Sequence, residues 1–217
     1  MSSSEIYLDE LELDALTELV NIGVSRAASS LRQMVGRQIF LSVPAVEVLD
    51  RQTAATLMAE REAGPLVAVR QEFSGAFSGR ALLIFPEANS LELVRAVTGG
   101  ELAGLEMEEL EDEALTETGN VVLNNCLATM ANMLQRPLEM SLPKVVRDEG
   151  EHLLDLAAAP VSDGVVLFLY INFAVSERDI RGYIAVLMDL PSLGALKSLI
   201  TEFIERVVGS DALAVGS

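Results

Sequence analysis

Residues 12–31 read ELDALTELVNIGVSRAASSL, and residues 111–130 read EDEALTETGNVVLNNCLATM. Both stretches contain a Glu, two residues and an Asn, and in both a Pro follows after 22 further residues; the two copies lie 99 residues apart. Since each residue type takes about one position in twenty, such a pattern arises by chance at about one start position in 10⁴. Two occurrences in 217 residues indicate an internal duplication that carries one kind of site twice.

The composition restricts the class of protein that could carry these sites. Half of the residues are hydrophobic, 5% are aromatic and no Trp is present, which favours a core of aliphatic helices and strands. The formal charge of −18 disfavours binding to nucleic acid or to anionic membranes, because phosphate groups require clustered Lys and Arg. A single Cys excludes an intramolecular disulfide framework.

The sequence also lacks the features of an exported or membrane-spanning protein. No apolar run reaches the roughly 18 residues that a spanning helix requires. Residues 1–9 have neither the basic start nor the apolar stretch of a secretion signal. We therefore expect a soluble cytoplasmic protein.

Hydrophobic periodicity predicts the elements of the first half. Apolar residues at three- and four-residue steps predict a long helix over 11–35, and the stretch over 38–48 is typical of a strand that Pro44 interrupts or places at an edge. The remaining predicted elements are a short acidic helix over 53–63, strands over 66–73 and 79–85, and a helix over 87–97.

The second half repeats this order. Its predicted elements are a helix over 105–134, a strand carrying Pro143 over 136–146, a charged loop over 147–156, strands over 165–175 and 183–190, a helix over 192–208 and a frayed tail. We expect a single domain spanning 1–217, made of two repeats at about 11–99 and 107–208. The fold class is α/β (α+β), with an antiparallel-rich sheet and pseudo-two-fold symmetry.

Polar side chains share one face of each long helix, because a helix turns about 100° per residue. The residues on this face are Asp14, Glu18 and Asn21 in the first helix, and Glu113, Glu117, Asn120 and Asn124 in the second. In both helices this face lies opposite the apolar stripe, so we expect it to be exposed to a partner.

The residue types on this face indicate a limited chemistry. Asn is a mediocre helix former, so its matched position in two exposed helices indicates a use. Its carboxamide can hold a water in one direction, and a carboxylate one turn away can hold a cation such as a Lys of a partner. No nucleophile–base pair, metal-ligand cluster or glycine loop accompanies them, so the pattern predicts groups that complete a foreign active site.

The two stretches resemble the paired helices of the CheC-type chemotaxis phosphatases, the CheC/CheX/FliY family. That family's signature is an Asp or Ser, three residues, Glu, two residues, Asn and, after 22 residues, Pro. The first copy fits from Asp14 onward, whereas the second has Glu113 where Asp or Ser is usual. We expect this position to start the helix or to support the site. The resemblance covers the whole chain and implies a duplicated CheC-like fold.

The resemblance implies a response-regulator phosphatase, which hydrolyses the aspartyl phosphate of a CheY-type regulator. In the family, the Glu pairs with a Lys of the regulator and the Asn positions the attacking water. Carried over, Glu18 and Asn21 form one catalytic site, and Glu117 and Asn120 form the other. The resemblance implies no cofactor of the chain's own, since the Mg²⁺ belongs to the regulator.

Other functions stay open at this point. Flagellar rotor proteins of the FliM and FliY kind have a similar fold, some without the Glu–Asn pair, so the chain could be a binding or scaffold module. The two Glu–Asn pairs, and the expected absence of a CheY-binding N-terminal peptide and of a rotor domain after Val208, favour the phosphatase. A second alternative is regulation of a CheD-type receptor deamidase, which is a partner of some family members. A third is that one site is active and the other is a relic of the fold. We expect a monomer with two competent sites.

Overall fold

The computed structural model of the chain describes residues 7–36, 38–43, 46–62, 64–98, 106–148, 153–154, 164–175 and 178–214. Helices lie against an antiparallel sheet, which confirms the predicted fold class. The elements in chain order are α1 (Glu10–Val35), β1 (Ile39–Ser42), β2 (Val46–Asp50), α2 (Arg51–Arg61), β3 (Leu66–Gly75), β4 (Gly79–Pro86), α3 (Glu87–Thr98), α4 (Glu106–Met133), β5 (Leu138–Met140), β6 (Lys144–Asp148), β7 (Gly164–Val175), β8 (Arg178–Asp189) and α5 (Leu190–Ala214).

The sheet has the strand order β1-β7-β8-β4-β3-β5, and every described pair is antiparallel. Two short strands share each of the long strands β7 and β3: β1 and β2 follow one another along β7, and β5 and β6 follow one another along β3. Each pair of short strands is interrupted by a break in the strand: β1 ends at Ser42 and β2 begins at Val46, and β5 ends at Met140 and β6 begins at Lys144. Residues 141–143 separate β5 from β6, so the prediction of a single strand over 136–146 is wrong, because Pro143, which has no N–H to donate, lies between two short strands. Pro44 lies outside the described residues.

Alternate residues of the central strands face two apolar layers, as the two-residue period of a strand requires. On β4, Leu83 and Phe85 belong to the layer that includes the buried faces of α1 and α4. Leu82 and Ile84 belong to a smaller layer that includes α2. The two long helices therefore lie on one side of the sheet and pack against each other there.

The long helices begin earlier than residues Asp14 and Glu113. Asp9 is the N-cap of α1 and forms a reciprocal capping box with Glu12, with bonds of 2.9 and 2.8 Å. Helix α4 begins at Glu106. Asp14 and Glu113 therefore lie inside their helices, and the expectation that either starts a helix is wrong, because other residues provide the first turns.

Several element boundaries differ from the sequence prediction. Strand β8 begins at Arg178 because its pairing with β7 extends to Val175. The predicted loop over 147–156 starts inside β6, and Leu153–Leu154 are buried and helical. The expected frayed tail is helical through Ala214, and its last three residues, Ala212, Leu213 and Ala214, are good helix formers.

Candidate functional site

The first Glu–Asn pair lies in the middle of α1, where Asp14 and Glu18 are exposed and Asn21 is half-buried. The carbonyl oxygen of the Asn21 side chain accepts a hydrogen bond of 3.2 Å from the backbone N–H of Val43. Val43 comes directly after β1, at the break between β1 and β2. The spacing from Asn to Pro thus has a physical meaning in this copy, because the Asn holds the backbone of the residue before Pro44.

A shallow open groove runs beside this pair. Its lining residues are Glu18, Asn21, Ile22, Ser25, Arg26, Ser29 and Ser30 of α1, and Asn125 of α4. The polar face is accessible, as predicted, and lies along the contact with the second helix. Sequence reasoning did not place Asn125 here, because only the packing of the two helices brings a flank residue of α4 beside the first site.

The second pair lies on α4, where Glu113 and Glu117 are exposed and Asn120 is half-buried. Here the Asn120 carbonyl oxygen accepts a hydrogen bond of 2.6 Å from the side-chain amide of Asn124. The Asn124 carbonyl oxygen accepts in turn from Gln71 Nε2 of β3 at 2.8 Å. A chain of three carboxamides therefore connects the second site to the sheet.

The two sites present the same chemical group by different means. Both Asn21 and Asn120 have the side-chain oxygen engaged inside the protein. Among the described residues, neither side-chain NH₂ group has an acceptor, so each site presents an N–H donor beside an exposed carboxylate. A fixed donor of this kind can hold the oxygen of a water or of a phosphoryl group.

The residues before the two prolines differ in environment. Val43 is 2% exposed, whereas Leu142, which precedes Pro143, is 84% exposed. The hydrogen bond to the Asn120 oxygen comes from the side chain of Asn124, and not from the backbone at the break between β5 and β6. No signal in the sequence could have identified Gln71, which stands between Arg70 and Glu72 in the predicted strand over 66–73.

Close contacts fix the positions of both helices. A Cβ atom on Gly23 would lie 2.8 Å from the Cα of Cys126 on α4, and one on Gly119 would lie 2.5 Å from the side chain of Val69 on β3. Glycine at these positions lets α1 approach α4 and lets α4 approach the sheet. Cys126 is buried, which raises the pKa of its thiol to about 12, so it packs the interface and is not a nucleophile.

The acidic residues at the start of the second polar face differ in their partners. Arg147 of β6 forms ion pairs with Asp112 at 2.5 Å and with Glu111 at 3.6 Å. The hydrogen bond to Asp112 raises the pKa of Arg147. Within the described ranges Glu113 and Glu117 have no ion-pair partner, so their carboxylates remain available to a cation from outside.

The described residues contain neither a cluster of metal ligands nor a helix that could span a membrane. No group of three or more His, Cys, Asp or Glu side chains is arranged to hold a metal ion in that part of the chain. No helix there is both long enough and apolar enough to cross a membrane.

Comparisons with known proteins identify the relatives of the chain. The model of the CheC-like family matches residues 11–48, and the model of the chemotaxis phosphatase CheX family matches residues 67–162. The chain is 23% identical over 199 residues to CheC1 of Halobacterium salinarum, covering 89% of this chain and 96% of that protein. It is 24% identical over 162 residues to the CheY-P phosphatase CheC of Bacillus subtilis, covering 73% and 74% of the two chains.

The fold also has a solved counterpart. The crystal structure of Thermotoga maritima FliY matches 91% of this chain and 100% of its own with a TM-score of 0.69, at 19% sequence identity. At this level of identity the match shows the shared fold.

Proposed function

Because the chain is a CheC-type protein, we propose that it accelerates hydrolysis of the aspartyl phosphate of a CheY-type response regulator. The observation that carries this proposal is the arrangement found in both copies. A side-chain amide, braced at its oxygen, lies on an accessible helix face together with an exposed Glu. Such groups complete an active site that a partner provides.

Asn21 and Asn120 position the attacking water. With each side-chain oxygen held by the protein, the direction of the N–H bonds is set before the regulator binds. The NH₂ group donates to the oxygen of the water and aims it in line with the phosphorus atom. Phosphoryl transfer depends mainly on such positioning and on charge stabilisation, so a single braced amide can have a large effect.

Glu18 and Glu117 anchor the regulator. Each exposed carboxylate lies one helical turn from its Asn and pairs with a Lys of the regulator's active site. The charge of −18 attracts a Lys-bearing surface from a distance. The Mg²⁺ that neutralises the phosphoryl oxygens is supplied by the regulator.

We also propose that the chain is one domain built of two repeats. The sheet supports this organisation, because Leu41 of β1 pairs with Phe173 of β7, and Met140 of β5, which is 99 residues after Leu41, pairs with Phe73 of β3. The monomeric state and a CheD-type partner stay predictions.

The proposed function is tested by phosphate release from a phosphorylated CheY-type regulator in the presence of Mg²⁺. We expect the wild-type chain to accelerate release catalytically, at a chain concentration well below that of the regulator. Asn132→Ala, which truncates an exposed Asn on the same helix as the second site, should behave as wild type. Absence of acceleration with every regulator of the source organism would leave a binding module on a phosphatase-like fold.

The anchoring role predicts an effect on KM. Glu18→Lys combined with Glu117→Lys should raise the KM for the phosphorylated regulator about tenfold or more, because a like charge meets the regulator's Lys and 1.4 kcal/mol is a factor of ten. The kcat at saturation should change little.

The control for the added charge is Glu60→Lys, an exposed residue of α2 on the other side of the sheet. If Glu60→Lys raised KM as much as the Glu18 and Glu117 variants do, the effect would belong to net charge and the anchoring role would be wrong.

A further inference from the structure

We infer that Gln71 and Asn124 are positioning residues of the second site, which orient the Asn120 amide and have no counterpart in the first site. This inference rests on the proposed function, because it specifies how one of the two sites is prepared for its task. It concerns residues outside the Glu–Asn–Pro pattern.

The hydrogen bonds have a defined direction along the chain of amides. Gln71 Nε2 donates to the Asn124 oxygen and also to the backbone carbonyl of Ser141, at 2.8 Å each. With its oxygen occupied as an acceptor, Asn124 turns its NH₂ group to Asn120 and donates at 2.6 Å. The Asn120 oxygen therefore faces inward and its NH₂ group faces outward.

Apart from its bond to the backbone of Ser141, the amide of Gln71 has no structural use among the described residues. Gln71 is 2% exposed, and its side-chain oxygen is buried without a hydrogen-bond partner among the described residues. An unpaired buried polar atom costs free energy that an apolar residue would avoid. Two of its possible bonds are used, and one of them leads to the site. The buried oxygen of Gln71 therefore costs folding free energy, while the NH₂ group of the same side chain supports the orientation of Asn120.

The first copy is an internal control for this interpretation. Phe173 and Phe73 are corresponding positions, since they pair with Leu41 and Met140. Two residues earlier on each strand, Ile171 corresponds to Gln71, and it is 1% exposed. Ser25 corresponds to Asn124 by the 99-residue offset.

The first copy therefore lacks both amide side chains, and there the backbone of Val43 holds Asn21. The second copy has both, Gln71 and Asn124, and there the Asn120 oxygen is held by a side chain. A merely structural role for Gln71 would not explain why the two residues occur as a pair. The pairing indicates that the side-chain brace replaces the backbone brace.

The substitution Asn124→Asp tests the orientation directly. The introduced carboxylate can still accept from Gln71, so the chain of contacts to the sheet persists. It can no longer donate to Asn120, whose oxygen would face a negative charge. The Asn120 amide should then rotate, donate its NH₂ group to the introduced carboxylate and present its oxygen to the regulator.

The activity of this variant is measured in an Asn21→Ala background, so that phosphate release comes from the second site. We expect kcat to fall about tenfold or more, while KM is nearly unchanged because Glu117 still anchors the regulator. Asn132→Asp adds the same charge to an exposed Asn of α4 and should leave both values unchanged. An unchanged kcat for Asn124→Asp, with an active wild type, would overturn the inference.

The second readout does not need the regulator. The side-chain NH₂ resonances of Asn120 in ¹⁵N–¹H spectra should shift on Asn124→Asp and exchange more slowly with solvent, because the group becomes bonded to a carboxylate. Gln71→Leu should also shift these resonances, since Asn124 loses the donor that fixes its direction.

The two readouts separate the possible failures. Asn120 resonances that stay in place in both variants would overturn the inference, whatever the activity. If wild type were inactive with every regulator, the proposed function would fail, and the resonances alone would decide whether Gln71 and Asn124 orient Asn120.

Discussion

The double variant Asn21→Ala, Asn120→Ala should release phosphate from the phosphorylated regulator no faster than the regulator does by itself. Each Asn supplies the braced amide donor of its proposed site, and an Ala leaves the attacking water without that partner. Loss of a positioning or stabilising donor typically costs about 10²-fold or more. The measurement is steady-state phosphate release with Mg²⁺, with wild type and both single variants in parallel.

The single variants show how the acceleration of phosphate release is divided between the two proposed sites. Since both sites present the same group, each single variant should retain part of the acceleration. Loss of all acceleration in one single variant would mean that the other site is inactive. Activity of the double variant equal to wild type would contradict the assigned role of both Asn residues, and equal thermal unfolding of all four proteins is the control for folding.

The substitution Gly23→Ala should lower the free energy of unfolding by about 2 kcal/mol, an overpacking cost. The added Cβ would lie 2.8 Å from the Cα of Cys126 and 3.2 Å from the backbone oxygen of Asn125. Both atoms belong to the backbone of α4, so the helices must separate to make room. Denaturant unfolding followed by circular dichroism measures the change.

Gly209→Ala is the matched control. Gly209 lies in α5, and a Cβ there would meet nothing within 4 Å. The same substitution should therefore stabilise the protein by about 0.5–1 kcal/mol, because Ala is the better helix former. If Gly23→Ala also stabilised the protein, the tight α1–α4 contact would be wrong.

The features that a single segment determines were predictable from the sequence. The apolar stripe of α1 and the polar face opposite it follow from helical periodicity alone, and Glu18 is exposed as this periodicity predicts. The Glu–Asn pairs could be found because two copies at one spacing are improbable by chance.

The features that depend on how distant segments meet were not predictable. Asn125 borders the first site only because α4 packs on α1. Gln71 reaches Asn124 only because β3 lies against α4. Within the sequence, Gln71 stands between Arg70 and Glu72, and nothing there reveals which helix lies above it.

The two braces differ in what mutation can do to them. The donor that holds Asn21 is the backbone N–H of Val43, and every amino acid except proline would supply it at that position. The brace of Asn120 depends on two side chains, and a single-base change in either codon can remove it. In the proposed two-repeat organisation, the first copy is thus robust to genetic drift at its brace. The second copy is the one whose activity selection can adjust without altering the residues proposed to meet the regulator.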